Sequence, residues 1–157
     1  MKAVEINQTG APEVINLKDI SLEKPNSDEV TIEQKAIGLN YIDTYHRSGL
    51  YPLKLPSGLG LEGAGIIIEV GSNVTNFKAG DKVAYAAIPL GSYSTHRNFP
   101  AAKLVKIPDG VDFDVAATLM TKGLTTYYLL HQTYKVKEGE TILFHAAAGG
   151  VGQIFGQ

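Results

Sequence analysis

Residues 146–152 read Ala-Ala-Ala-Gly-Gly-Val-Gly and follow the apolar run Thr141-Ile142-Leu143-Phe144. A strand that enters a glycine-rich turn and opens a helix is how a Rossmann unit holds a dinucleotide pyrophosphate. Gly149 and Gly150 let backbone N–H groups approach a phosphate with no Cβ in the way, and Gly152 lets the helix lie close on its strand. The helix N-terminus would then meet the anion with unpaired donors, worth about 0.3–1 kcal/mol per exposed charge. Ala148, Gly149, Gly150, Val151 and Gly152 are therefore the candidate cofactor-binding residues. Ala147 stands where the first glycine of G-x-G-x-x-G usually falls. From the turn alone, a phosphate loop and an ordinary strand–helix connection stay equally open, and the apolar run favours the first. The charged residue after the following strand, which separates NAD from NADP, is not among these residues.

Other reactive side chains are sparse. The sequence has no cysteine, which excludes disulfides and every cysteine-ligated zinc or iron–sulfur centre. His46, His96, His131 and His145 lie far apart without ligand spacing, so no metal is expected. A hydrophobic fraction of 44% against 19% charged residues describes a globular protein. The formal net charge of −2 makes no electrostatic case for nucleic acid or an anionic membrane. No run has the apolar length of a membrane span. Glu5 sits inside the first short alternating segment, unlike a signal peptide, so a cytoplasmic location is expected.

These residues need elements to position them. Segments 2–7 and 14–19 alternate about a turn at Gly10-Ala11-Pro12 and predict a hairpin. Residues 29–38 form a longer strand, followed by a helix over 41–47 with Asn40 as its cap and Gly49 as its stop. The apolar run 63–70 reads as a strand buried on both faces. Further strands are expected over 81–87, 92–99 and 103–107, and short strands so closely spaced argue for a small barrel or sandwich. Residues 113–134 carry apolar side chains at helical spacing, with Gly123 expected to break them into two helices. The predicted order is an all-β module, a helical bridge, and the opening strand and helix of an α/β module.

Several stretches in this order resemble one family. They are Ala36-Ile37-Gly38-Leu39-Asn40-Tyr41-Ile42-Asp43-Thr44-Tyr45, Arg47-Ser48-Gly49-Leu50-Tyr51-Pro52 and Pro56-Ser57-Gly58-Leu59-Gly60-Leu61-Glu62-Gly63-Ala64-Gly65. Ala79-Gly80-Asp81-Lys82-Val83, Lys122-Gly123-Leu124-Thr125 and the terminal glycine turn complete the set. Each is weak alone, and together they resemble the N-terminal half of the zinc-independent medium-chain dehydrogenase/reductases, quinone oxidoreductases of the zeta-crystallin type above all. The resemblance implies a mainly β, GroES-like catalytic domain over 1–124, lacking its C-terminal return, and the start of a Rossmann domain over 125–157. It also implies a chain about twice this length. Were the polypeptide complete as written, a non-catalytic binding or structural role without NADPH turnover would be expected.

Zinc-dependent relatives of that family place a cysteine near the position of Asn40 and a histidine just before the glutamate matching Glu62. Here these positions hold Asn40 and Leu61, so no zinc is implied. Without a Lewis acid an alkoxide lacks its usual stabilisation, whereas a quinone or activated enone accepts a hydride once it is positioned. The resemblance thus implies an NADPH-dependent quinone reductase, with an enone or enoyl-thioester reductase as the alternative. Asn40, Tyr45 and Thr125 would line the nicotinamide and substrate cleft, with Tyr51 at its edge. Asn40 would donate to the developing oxyanion or hold the carboxamide, and Tyr45 would supply a hydrogen bond or proton. Plainer roles stand beside these: helix cap for Asn40, aromatic packing for Tyr45, a cap of the second helix for Thr125, a hydrogen-bonded buried acid for Glu62, and helix surface for Lys122. A homodimer is implied for the full-length form.

Overall fold

The computed structural model describes every residue from Met1 to Gln157. The alternating N-terminal segments pair as expected, β1 (Lys2–Ile6) running antiparallel to β2 (Asn16–Asp19) with Val4 opposite Leu17. Residues Pro12–Val14 wind into a 3-10 turn instead of entering β2. Pro12 has its φ fixed and no N–H to give a ladder. A short β4 (Ser57–Gly58), lying after the helix described below, pairs on the other side of β1 and completes a sheet in the order β2-β1-β4.

A second antiparallel sheet is built from β3 (Glu29–Gly38), β5 (Glu62–Val70), β6 (Lys82–Ala86), β7 (His96–Pro100) and β8 (Val105–Lys106). Its strand order is β7-β3-β5-β6-β8. Residues 93–95 stitch the sheets together. The Val4 N–H donates to the Tyr93 carbonyl at 2.8 Å, the Thr95 N–H to Lys2 at 2.9 Å, and the Gln34 N–H to Thr95 at 2.9 Å. That double use explains why the segment expected as a strand over 92–99 joins the β3 ladder only from His96.

Period-two alternation fills the core between these strands. Val30 and Ile32 of β3 meet Ile67, Val83, Tyr85 and Phe99 in one buried cluster closed by Phe77 and Leu104. β5 is buried on both faces only in its first half, because Ile68 is exposed and Glu69 points to solvent. Arg97 is buried in this core, its guanidinium 4.6 Å from the Phe99 ring centre and 5.1 Å from that of Tyr85. It donates to the carbonyls of Pro89 at 2.8 Å and Leu90 at 3.2 Å, which tethers that loop.

Helix α1 (Tyr41–Ser48) starts at Asn40 and stops at Gly49, whose φ of 87° is a left-handed conformation suited to glycine. Helix α2 (Phe113–Tyr128) is continuous, so Gly123 does not break it. One glycine costs only about 1 kcal/mol against alanine inside a helix, less than the packing of an apolar face returns. A π turn over Leu129–Thr133 ends it.

The chain divides within α2 into two compact units, Met1–Thr118 and Leu119–Gln157. The second holds the end of α2, the π turn and helix α3 (Gly150–Phe155). Residues 141–144 carry no ladder hydrogen bonds, and Leu143 is 87% exposed, so the strand expected before the glycine turn is unpaired here. A strand is defined by its hydrogen-bonded neighbours, and no strand of this unit pairs with it, although Phe144 stacks on Phe155 at 4.2 Å. No helix is long and apolar enough to cross a membrane.

Candidate functional site

In the first unit the site is set by the register of β3 on β5, which puts Glu62 opposite Gly38. Two residues later Asn40 leaves the strand in an extended conformation and caps α1. Its backbone N–H donates to Asp43 Oδ2 at 3.0 Å, while the Asp43 N–H returns to the Asn40 carbonyl at 3.0 Å. The Asn40 carboxamide also reaches β5, its Nδ2 donating to Glu62 Oε2 at 2.6 Å. Asn40 is 8% exposed and Glu62 is completely buried. The side chain of Asn40 therefore does more than cap a helix, and Glu62 is the hydrogen-bonded buried acid the sequence allowed.

The space around this pair admits no larger residue at Gly38. A Cβ there would stand 2.5 Å from Glu62 Oε2 and 2.2 Å from the Ala117 carbonyl oxygen. From the opposite side the Tyr93 hydroxyl donates to Asp43 Oδ2 at 2.6 Å. Burial pushes the Tyr93 phenol well above its ordinary value of 10.0, and the Asp43 carboxylate beside it adds to the effect. Asp43 is 4% exposed, and its Oδ1 is buried without a hydrogen-bond partner. Asp43 was legible as the third helical position after an asparagine cap. Nothing local announced Tyr93, which reaches it from 50 residues away.

Tyr45 and Tyr51 are brought together. Their ring centres lie 5.3 Å apart, and Tyr41 meets Tyr45 edge-on at the same 5.3 Å. The reversal at Gly49 returns the chain so that the Tyr51 N–H donates to the Tyr45 carbonyl at 3.1 Å. His46 packs against Tyr51 at 5.9 Å. Tyr45 thus packs within an aromatic cluster whose outer members Tyr41 and Tyr51 face solvent. Offset and edge-on ring pairs of this kind contribute about 0.5–1.5 kcal/mol beyond area burial. The other histidines stand on separate elements, His96 on β7, His131 in the π turn and His145 before the glycine turn.

In the second unit Thr125 lies inside the continuous α2, so it caps nothing. Its hydroxyl donates to the Thr121 carbonyl at 2.7 Å, which leaves the oxygen lone pairs as acceptors. The glycine turn is tightly built. Ala146 adopts a φ of 57°, the left-handed region that costs a non-glycine residue about 1–3 kcal/mol. The Gly149 N–H closes the turn on the Ala146 carbonyl at 2.8 Å, and the Gln153 side chain donates to Ala148 at 2.8 Å. A Cβ on Gly152 would stand 2.5 Å from the carbonyl oxygens of both Ala146 and Ala147. Helix and turn can touch only through glycine. Lys122, read from sequence as helix surface, lays its stem over Gly150, where a Cβ would meet its Cδ and Cε at 2.7 Å. The turn is thus closed to side chains at Gly152 and covered by the Lys122 stem at Gly150.

Known proteins resemble this chain over nearly its whole length. Residues 26–109 match the alcohol dehydrogenase GroES-like domain. A quinone oxidoreductase of Pseudomonas aeruginosa is 58% identical over 152 residues, covering 96% of this chain and 47% of its own length. A crystal structure of Escherichia coli quinone oxidoreductase complexed with NADPH superposes with a TM-score of 0.96 at 50% identity, over 99% of this chain and 48% of that one. A 2-haloacrylate reductase of Burkholderia is 44% identical over 158 residues, covering 97% of this chain and 47% of its own. The chain spans about half the length of the curated relatives it matches. Because the domain match takes in more than half of the residues, the strands and α1 that carry Asn40 and Glu62 included, this chain belongs to the alcohol dehydrogenase GroES-like family, with quinone oxidoreductases among its homologues.

Proposed function

We propose that this chain carries the substrate-side residues and the opening of the nucleotide site of an NADPH-dependent quinone reductase that works without a metal. The observation that carries the reading is the Asn40–Glu62 pair. At the positions where zinc-dependent relatives hold cysteine and histidine, this chain has an amide bonded to a buried acid, and a leucine. Such a pair orients a ligand by hydrogen bonding and offers no thiolate or imidazole to a cation. When bound, NADPH supplies the hydride. The Gly149–Gly152 turn would hold its phosphates, with Ala148 and Val151 as the neighbouring backbone.

Everything else is positioning. Asn40 and Thr125 would each offer a polar atom to the nicotinamide end, and the Tyr45 and Tyr51 rings would give a flat quinone an aromatic face to stack on. The Tyr45 hydroxyl would hold the substrate oxygen and give it a proton. Orienting two reactants can remove roughly 7–11 kcal/mol of barrier, enough for an acceptor as ready as a quinone. On this reading the full-length protein is a cytoplasmic homodimer.

The 44% identity to a 2-haloacrylate reductase favours one second reading, reduction of an activated enone or enoyl thioester on the same residues. The deciding experiment is steady-state NADPH oxidation by the protein isolated at the length its own cells make. Turnover of 1,4-benzoquinone above that of enones and enoyl thioesters is the expected result. Turnover of enones alone would replace the first reading with the second, and no oxidation with any acceptor would end both.

A further inference from the structure

Helix α1 carries Tyr45, yet none of its apolar side chains is buried; Asp43 is its one buried residue. Polar bonds tie the helix at both ends. At its close the Gly10 N–H donates to the Arg47 carbonyl at 2.9 Å, and Arg47 Nε donates to the Gly10 carbonyl at 3.1 Å. The first turn is tied by Tyr93, whose hydroxyl donates to Asp43 Oδ2 at 2.6 Å. Tyr93 is itself fixed where the two sheets meet. Its N–H donates to the Leu59 carbonyl at 3.0 Å, and its carbonyl accepts from the Val4 N–H at 2.8 Å. Its ring lies over Gly60, where a Cβ would stand 2.6 Å from Cδ1. A phenol bonded to a carboxylate is charge-assisted, about twice as strong as a neutral pair. Asp43 and Tyr45 are two positions apart, which on a helix turns them about 200° around the axis. The bond that holds Asp43 inward therefore sets the direction in which Tyr45 leaves the helix.

From this geometry we infer that Tyr93 is a positioning residue, which fixes the roll of α1 through Asp43 and so places the Tyr45 ring and hydroxyl against the quinone. The inference rests on the reductase reading of Tyr45. A roll of about 10°, at a ring about 6 Å from the helix axis, moves that ring by about 1 Å. A displacement of that size can cost about a hundredfold in rate. Tyr93 itself touches neither cofactor nor substrate, and its whole effect passes through Asp43 and α1.

Tyr93→Phe tests this, since it removes the bond and keeps the ring over Gly60. Each protein is made at its natural length, and kcat and KM are measured with a benzoquinone at saturating NADPH. Tyr93→Phe is expected to fold and to lose about tenfold in kcat/KM for the quinone. In a Tyr45→Ala background no ring is left to place, and adding Tyr93→Phe should change kcat/KM by less than about twofold. Val30→Ala is the control for stability, because it removes packing from the core cluster at the far end of β3. It should lower the melting temperature and leave kcat/KM for the quinone unchanged. A folded Tyr93→Phe protein with wild-type kcat/KM would overturn the inference. So would an equal factor lost in both backgrounds, or the same loss in Val30→Ala, since either is what a merely structural tyrosine gives. Should Tyr93→Phe fail to fold, Asp43→Asn keeps an acceptor for the Tyr93 hydroxyl without the charge. A loss of about twofold to fivefold in kcat/KM is then expected, and wild-type kcat/KM would overturn the inference. A wild type that reduces no quinone would instead remove the reductase reading, and this inference with it.

Discussion

Replacing Gly38 by alanine pits two effects of opposite sign against each other. Gly38 is not among the glycines with positive φ, so chain entropy alone predicts that alanine stabilises the protein by about 0.4–1 kcal/mol. The structure predicts the reverse. The new methyl would stand 2.2 Å from the Ala117 carbonyl oxygen and 2.5 Å from Glu62 Oε2, each roughly an ångström inside normal contact. One obstacle is backbone and the other is a buried acid bonded to Asn40, so neither yields like the end of a flexible side chain. Overpacking of this sort costs about 1–3 kcal/mol, and the net is destabilising by roughly 1–2 kcal/mol. In urea, with a slope near 1–3 kcal/mol per molar, the midpoint should fall by about 0.3–2 M. Gly123→Ala is the control. There the methyl meets only Leu119 Cδ1 and Cγ at 3.2 and 3.3 Å, and alanine gains up to about 1 kcal/mol of helix propensity. A Gly38→Ala midpoint equal to or above wild type would refute the packing described around Glu62.

Three further outcomes follow from the same geometry. Tyr93→Phe should cost about 1.5–3 kcal/mol by removing a donor from the buried Asp43 carboxylate. Because the folded Tyr93 phenol is raised above 10.0, its contribution is complete below that pH and is lost as pH climbs through the folded value, so wild-type stability should fall above pH 10.0 more steeply than that of Tyr93→Phe in alkaline denaturation. Arg97→Lys should cost about 1–3 kcal/mol despite keeping the charge, since an ammonium cannot stack on Phe99 while donating to both Pro89 and Leu90; an unchanged melting temperature would contradict this. Gly152→Ala drives a methyl to 2.5 Å from two carbonyl oxygens and should weaken NADPH binding about tenfold or more in a fluorescence titration, whereas unchanged affinity would detach the glycine turn from the nucleotide.

Much of the first unit was readable from local pattern. Alternation marked β1 and β2, which pair as a hairpin, and the longer run of β3 supplies Val30 and Ile32 to the core. The asparagine before Tyr41 and the glycine after Ser48 bounded α1, since cap chemistry acts within a single turn. Where the reading departed from the structure, the deciding energy was not local. Gly123 sits inside a continuous helix because packing outweighs one unfavourable propensity. Residues 141–144 have strand composition and no ladder, because a strand exists only through its neighbours.

The site divides along the same line. Residue types alone determined that no cysteine could serve a metal, that an asparagine and a leucine occupy the positions zinc relatives reserve for ligands, and that a glycine turn could face a phosphate. The absence of cysteine follows from composition, the glycine turn from spacing, and the match of Asn40 and Leu61 to zinc-ligand positions from the family resemblance. That Asn40 turns its amide nitrogen to Glu62, that Tyr93 closes on Asp43, and that Lys122 lies along Gly150 were settled by tertiary structure. The Asn40–Glu62 and Asp43–Tyr93 contacts join residues 22 and 50 positions apart. They form only once the β3–β5 register and residues 93–95 have brought separate strands together, and no local preference encodes a distance of that kind.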